Sequence, residues 1–565
     1  MLQRVVFAYS FLAWAWAQSP PPTEEGIPVT DATVIAKCSG CHKKDDKGNL
    51  TRISWVRTNP EGWQQVIKRM IRLNGLQLSA DDARHVVQSL SNSHGLAPEE
   101  AKAAAYFPER RYLDETIPDP VRQPCASCHP YGRVMNWRRS NEEWKLLADM
   151  HTGYFPVAEW TVFRNGPRFQ DPPPPAPGAP PPDNRHPVEK AIEQISKAFP
   201  LHTPEWADWR ASMRAPKLSG RWIVTATQPG KGKFIGEMTI EPGSAPDTFN
   251  TKTRLTPLGG GPALELSGKA NLYTGYSWRG RAAGAGGSSP DLPKEARQVM
   301  IVSRDQLSAE GRWFWGAYEE FGLDVKLRRA GDPLIHTLDV SRLRSGVSGQ
   351  RVRIFGDQLP TGLAPADIDF GAGVKVSRIV AQSASELAVE VDVDAQARNG
   401  RRDLAVRRLA LVGAVAVYDK VDYIKPPTET AVARLGGNTH PKGYWQFETI
   451  AWNRGADGKP NTSDDVNLGP VEVQWSIEEH LAVYGDDDKD FVGQLNAKGF
   501  FTPSSEGPNP KRKFSRNNYG DVWVVATYKG ADAATAKDGK PMTARTHLIV
   551  TVPLYMKWDQ PEVAE

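Results

Sequence analysis

The sequence predicts a multidomain chain: a mainly α region over residues 18–217, then three all-β domains. These are an antiparallel barrel over 218–331 and two sandwiches over 332–425 and 426–565. Three observations predict it. Apolar residues recur at helical spacing before Lys217 and in alternation after it. Gly/Pro turns break the second half into short strands, in a chain with 49 glycines and 46 prolines. All 4 cysteines fall in the helical region, so the β domains carry none. A net charge of +4 over 565 residues, with no concentrated basic patch, implies no nucleic-acid partner.

The chain opens on an export signal, residues 1–17. Met1 to Arg4 is short and positive, Val5 to Trp16 is apolar, and Ala15-Trp16-Ala17 offers a small-x-small cleavage site before Gln18. Removing Arg4 with the signal leaves a mature charge of +3. No later stretch is long and apolar enough for a membrane helix, and no membrane partner is expected; the export signal gives the periplasm as the expected location.

Cys38-Ser39-Gly40-Cys41-His42 is a C-x-x-C-H motif, the attachment pattern of a c-type haem. Two thiols one helical turn apart add across the porphyrin vinyl groups, and the following histidine reaches the iron. Taken alone the motif also suits a redox pair or half a zinc site. A second copy, Cys125-Ala126-Ser127-Cys128-His129, uses every remaining cysteine and leaves none over for a disulfide or a four-cysteine zinc site beside the motifs. The expected cofactors are two covalent haem c groups on Cys38, Cys41, Cys125 and Cys128, with His42 and His129 on the irons.

The second axial ligands are read from an internal echo. Ser54-Trp55 and Trp63 to Met70 follow the first motif; Asn136-Trp137 and Trp144 to His151 follow the second. Met70 and His151 each lie seven residues after a tryptophan on a helical stripe. One copy thus offers a thioether and the other an imidazole, giving one His/Met haem (His42, Met70) and one bis-His haem (His129, His151). A thioether raises the potential relative to a second imidazole. Met150 and Met135 are rivals to His151.

The remaining elements follow in order. Leu78 to Leu90 is a helix with Ser79 as N-cap, and His85 and His94 read as surface residues or haem-propionate contacts. Pro98 to Tyr106 is a short helical piece, and Asp171 to Pro182 is a polyproline loop. His186 to Phe199 and the segment from Thr203-Pro204 are helices. Six barrel strands are expected at 220–227, 233–240, 251–255, 263–273, 298–303 and 312–318. Val352 to Gly356, Ile368 to Gly371 and Leu387 to Val393 give an immunoglobulin-like reading of the first sandwich. The second carries strands near 445–450, 471–477, 522–528 and 545–552. Its loop Asp457 to Asp465 gathers oxygen ligands without the spacing of a calcium loop and reads as a solvated turn, as does Asp486-Asp487-Asp488. His336, His440, His480 and His547 read as structural, and no nucleophile–base set appears, so no catalytic residue is expected.

Gly26 to Asp31 leading into Cys38–His42, then Arg52 to Trp55, Thr58 to Trp63 and Lys68 to Leu76, resemble the α (dihaem) subunit of quinohaemoprotein amine dehydrogenase. The resemblance implies an oxidoreductase in which primary amines become aldehyde and ammonia. It implies a heterotrimer whose small subunit carries cysteine tryptophylquinone and whose third subunit is a β-propeller. Electrons pass through this chain's haems to a soluble blue-copper protein or cytochrome c. It also implies one His/Met and one bis-His haem, carried by His42, Met70, His129 and His151. With all cysteines in haem motifs, the amine-oxidising site is expected on another subunit. A dihaem peroxidase and a stand-alone dihaem carrier with β binding modules are the alternatives.

Overall fold

The computed structural model describes residues 24–105, 117–126, 129–158, 183, 185–286, 290–481, 485–534 and 540–555. The expected signal segment, Cys128 and the proline run 171–182 lie outside them.

Ten helices open the described chain: α1 (Ala32–Cys38), α2 (Pro60–Asn74), α3 (Ala80–Ser93), α4 (Pro98–Lys102), α5 (Asp119–Ala126), α6 (Gly132–Met135), α7 (Asn141–Tyr154), α8 (Pro156–Ala158), α9 (Pro187–Ala198) and α10 (Pro204–Ser212). Their boundaries follow local chemistry. Asp31, Asn59, Ser79, Ser140 and Thr203 each accept a backbone N–H three residues on, the N-cap bond that satisfies an orphan donor of the first turn. Gly75, at φ 71°, closes α2 in the left-handed conformation that glycine adopts without strain. Two short strands, β1 (Val56–Thr58) and β2 (Trp137–Arg139), pair antiparallel.

Eight strands then form a closed barrel: β3 (Gly220–Gln228), β4 (Gly232–Pro242), β5 (Thr248–Pro257), β6 (Leu264–Tyr273), β7 (Ser277–Gly284), β8 (Glu295–Val302), β9 (Ser308–Trp315) and β10 (Phe321–Arg329). Strand β10 closes on β3, so no edge is left open. Trp222, Trp278 and Trp313, all at most 1% exposed, help fill the lumen, as expected for eight strands. The alternation reading found six of the eight strands. It missed β7, where Arg279, Gly280 and Arg281 interrupt the apolar pattern, and β10.

Residues 334–418 form two four-stranded sheets around one core. One sheet holds β11 (Leu334–Leu338), β13 (Gln350–Asp357), β15 (Val374–Gln382) and β16 (Glu386–Val393). The other holds β12 (Arg342–Arg344), β14 (Ile368–Asp369), β17 (Gly400–Val406) and β18 (Leu409–Tyr418). The last unit adds β19 (Tyr423–Lys425), β20 (Thr430–Arg434), β21 (Trp445–Gln446), β22 (Ile450–Asn453), β23 (Val466–Pro470), β24 (Gln474–Glu479), β25 (Gly493–Leu495), β26 (Phe500–Pro503), β27 (Gly520–Tyr528) and β28 (Met542–Thr551). Its main sheet runs β20-β28-β27-β24, which leaves β24 at an edge.

The units are locked by buried polar contacts. Glu61 of α2 pairs with Arg279 of the barrel, Tyr276 Oη donates to the Ala97 carbonyl (3.3 Å), and Trp209 Nε1 donates to the Thr274 carbonyl (2.9 Å). Lys233 Nζ crosses from the barrel to the carbonyls of Leu338 and Val340 (both 2.9 Å), and burial pushes it down to about 8. Phe321 stacks on Phe500 (6.1 Å between centroids) and packs beside Tyr444, joining the barrel to the last unit.

Candidate haem-binding site

The two motif-bearing halves are related by a local twofold. In the β1–β2 ladder Arg57 faces Arg138, with Val56 opposite Arg139 and Thr58 opposite Trp137. Arg57 lies two residues before the N-cap Asn59 of α2, and Arg138 two before the N-cap Ser140 of α7. Equivalent residues therefore face each other across an axis. Trp63 and Trp144 both occupy the fourth helical position, both are buried, and both donate Nε1 at 3.1 Å to the carbonyl that ends a later helix: His94 after α3, Phe199 after α9. The repeat thus includes a third helix in each half.

This register corrects one detail of the echo. Trp55 and Trp137 are not equivalent; counted from the N-caps, Trp137 matches Val56. Trp55 donates to the Glu24 carbonyl (2.8 Å), whereas Trp137 lies under the Arg139 guanidinium (4.3 Å). Met70 and His151, by contrast, both stand eleven residues after their N-caps. The residues just before them, Arg69 and Met150, touch: Arg69 Nη1 lies 3.1 Å from Met150 Sδ. The Met150 sulfur is thereby engaged on the seam, and His151 occupies the equivalent of Met70.

The first motif closes α1. The backbone N–H groups of Cys41 and His42 both donate to the Cys38 carbonyl (3.2 and 2.9 Å), which places the thiols on one turn and His42 immediately beyond. His42 Nδ1 lies 2.7 Å from the Thr51 carbonyl and His151 Nδ1 2.8 Å from the Leu147 carbonyl. His129 Nδ1 lies 3.2 Å from the Pro130 carbonyl. As donors to carbonyls these rings keep their lone pair on Nε2, the second-shell arrangement that orients a metal-binding imidazole. Burial raises the Cys38 thiol above its ordinary range, with Cys41 adding to the effect, and pushes Cys125 up to about 11. These thiols face apolar surroundings, which suits a porphyrin edge. The described residues Cys38, Cys41 and His42 of the first half therefore fit a haem, and Cys125 and His129 of the second are compatible with one. The structure does not place Cys128 among the described residues.

Charge is concentrated where the halves meet. Arg57 is fully buried; its guanidinium holds Glu100 at 2.8 and 2.9 Å and the carbonyls of Leu201 (2.7 Å) and Gly95 (3.0 Å). Arg138 reaches the same Glu100 at 3.1 Å. Arg57 and the second arginine hold the Glu100 carboxyl below its usual range despite burial. On the other side Arg139 is pushed down to about 9, chiefly by burial, and Glu143 is raised by burial. Arg52 pairs with Glu143 at 3.1 Å, and Arg69 feels the Arg52 charge.

Three sequence readings are corrected. His94 is not a surface residue: it is fully buried, with Nε2 3.0 Å from the Ile27 carbonyl and Nδ1 2.8 Å from Ser93 Oγ. Burial lowers it to about 4. Asp486–Asp488 is not a solvated loop, because Arg512 (2% exposed) and Arg516 bind it; Arg512 Nη2 lies 2.7 Å from Asp487. His480 and His547, each read singly as a structural residue, converge on Asp521. The 457–465 loop does spend its carboxylates on its own turn: Asp464 accepts from the Ala456 and Asp457 N–H groups, and Asp465 from Thr462 N–H and Tyr423 Oη.

Four family descriptions match successive stretches. They are quinohemoprotein amine dehydrogenase A, alpha subunit, haem binding (29–166), and quinohemoprotein amine dehydrogenase, alpha subunit domain II (215–330), domain III (337–419) and domain IV (424–563). No curated protein sequence matches the chain. Among solved structures, a redesigned beta barrel, b11L5F_LGL, is 20% identical over 21% of this chain and 97% of its own, with a TM-score of 0.18. Zebrafish RET cadherin-like domains 1 to 4 are 10% identical over 48% of this chain and 64% of their own, also at 0.18. No helix among the described residues is long and apolar enough to cross a membrane. From residue 29 to residue 563 the matched segments follow one another along one subunit, and the chain belongs to the quinohaemoprotein amine dehydrogenase α-subunit family, with a haem-binding domain at its head.

Proposed function

We propose that this chain is the electron-transfer subunit of a periplasmic amine dehydrogenase, exported by residues 1–17 and carrying two covalent haem c groups. Cys38 and Cys41 hold one, with His42 and Met70 on its iron. Cys125 and Cys128 hold the other, with His129 and His151. Bound there, each haem supplies a one-electron redox centre. The observation that supports the pairing best is the shared N-cap-plus-eleven position of Met70 and His151, with Arg69 and Met150 in contact beside the axis.

In this reading the protein's residues do three things. The Nδ1 contacts of His42, His129 and His151 fix ring orientation. The twofold brings the two helices together at Arg69 and Met150, a contact between the two proposed haem-binding halves. The arginines Arg52, Arg69 and Arg139 gather near Glu143, and a cationic surplus of this kind would favour the more negative, reduced state of a haem bound close to it.

The domain limits 217, 331 and 425, and the immunoglobulin-like character of the two sandwiches, belong to the same proposal. The parallel pairing of an early strand with the last one, β12 with β18 and β20 with β28, gives both units the same closing arrangement. The proposed partners are a quinone-bearing small subunit, with cysteine tryptophylquinone, and a β-propeller subunit; a soluble blue-copper protein or cytochrome c accepts the electrons. Primary amines are oxidised to aldehyde and ammonia on the small subunit. The test is isolation of the mature protein from its periplasm, a haem count, and addition of a primary amine. Two haems per chain, two co-purifying chains and haem bands that turn to the reduced form support the proposal. A chain that purifies alone and stays oxidised with amine overturns the amine dehydrogenase role.

A further inference from the structure

We infer that the last β unit holds a divalent transition-metal site formed by His480, Asp521 and His547. Nothing in the electron-transfer reading uses these residues, and they lie on the unit farthest along the chain from the haem motifs.

The register builds the site. Strand β28 pairs with β27 so that His547 lies directly opposite Trp523, and Asp521 is two residues along β27 from Trp523, on the same face. Strand β24 pairs with the other side of β27 through Glu479 opposite Val522, and His480 is the next residue. Val522, Val524 and Leu548 point into the core, which sends Asp521, Trp523 and His547 to the opposite face.

On that face His547 Nε2 lies 2.7 Å from Asp521 Oδ2, and His480 Nδ1 lies 2.8 Å from the same oxygen. The His547 contact is a hydrogen bond. The His480 contact is not: its Nδ1 is shielded from solvent and makes no hydrogen bond, although it sits at hydrogen-bonding distance from a carboxylate. The two imidazoles stack, with centroids 4.1 Å apart and planes 17° apart, and Trp523 packs against both at 4.9 and 5.4 Å. All three ligand atoms fall within 4.8 Å of one another.

A shared cation accounts for this geometry better than hydrogen bonding alone. Two imidazole nitrogens and one carboxylate oxygen are a common zinc donor set, with metal–ligand distances of about 2.0–2.2 Å, which bring ligand atoms to roughly 3 Å from each other. The side chains are half-buried rather than free in solvent, so little ordering is needed on binding. A fourth position is left for water. The consequence is mechanical. Strand β24 is an edge strand, and an ion shared by His480, Asp521 and His547 fastens its end across β27 to β28. In a unit without cysteine the ion takes the role of a disulfide staple.

The test uses the full haem-loaded chain, stripped with EDTA and dialysed against zinc chloride. Elemental analysis after gel filtration is expected to find one zinc per chain, with haem iron as the internal count. His480→Gln together with His547→Gln is expected to weaken zinc binding by at least ~100-fold and to abolish the rise in melting temperature that zinc gives the unsubstituted chain. Equal zinc in the double variant and the unsubstituted protein overturns the proposal. Should the double variant not fold, X-ray absorption at the zinc edge of the unsubstituted protein decides. Two imidazoles and one carboxylate in the first shell support the site, and a shell without imidazole refutes it.

Discussion

At Glu100 two guanidinium groups share one carboxylate in the interior, and neither arginine has water to fall back on. Glu100→Ala leaves Arg57 and Arg138 buried without their anion and is expected to destabilise the helical region by about 3–5 kcal/mol, measured by urea unfolding. Glu100→Gln, which keeps two polar contacts, costs less. His94 gives a pH dependence of known sign. Its folded value of about 4 lies below the ordinary 6.5, so between those values the unfolded chain binds a proton that the folded chain refuses. Stability is therefore fully present above pH 6.5 and falls as pH drops toward 4. Urea midpoints at pH 7 and pH 5 should differ less in His94→Gln than in the unsubstituted chain.

The proposed haem-holding residues could be named from sequence because two attachment motifs and one repeat spacing constrain them. The sequence favoured His151 on the repeat spacing and kept Met150 and Met135 as rivals, since neighbouring residues on a helix differ only in direction. In the fold Met150 Sδ lies against Arg69 Nη1, which supports the proposal that His151 is the ligand. His94 and the pair His480 and His547 were not legible. Burial of a polar residue after a helix end, and convergence across two strand pairings, depend on tertiary packing that no local pattern carries.

At the scale of elements, caps and prolines dominate. Ser79 and Thr203 were readable as N-caps because a side-chain oxygen before a helix satisfies a donor the helix cannot. Asn59 and Ser140 cap the two ligand helices in the same way, at 2.9 and 3.2 Å. Ser140→Ala is expected to cost ~1 kcal/mol and to fray the first turn of α7, seen as faster amide exchange at Glu143. Strand β7 escaped the alternation reading for a physical reason. Arg279 is only 4% exposed yet charged, because Glu61 of the helical region neutralises it, so an outward position of the barrel is buried by an ion pair rather than by an apolar contact. Local hydropathy cannot anticipate a partner 218 residues away.

That pair matters for the whole molecule. The helical region and the barrel meet through Glu61–Arg279, Tyr276–Ala97 and Trp209–Thr274, and the barrel reaches onward through Lys233 and Phe321. Glu61→Ala leaves Arg279 buried and unpaired; a loss of about 3 kcal/mol is expected, with earlier protease cleavage between the helical region and the barrel. The order of the units was legible from the change of period after Lys217. Their docking was not, because it rests on single polar contacts between segments far apart in sequence.

The central claim is that one twofold-related pair of helices offers a thioether to one iron and an imidazole to the other. Near-infrared magnetic circular dichroism of the oxidised, haem-loaded chain tests it most directly. Two low-spin signals are expected, one His/Met and one bis-His, and Met70→His should convert the first into a second bis-His signal while leaving the other in place. Two identical signals in the unsubstituted protein, or a high-spin haem with an open coordination position, would contradict the account.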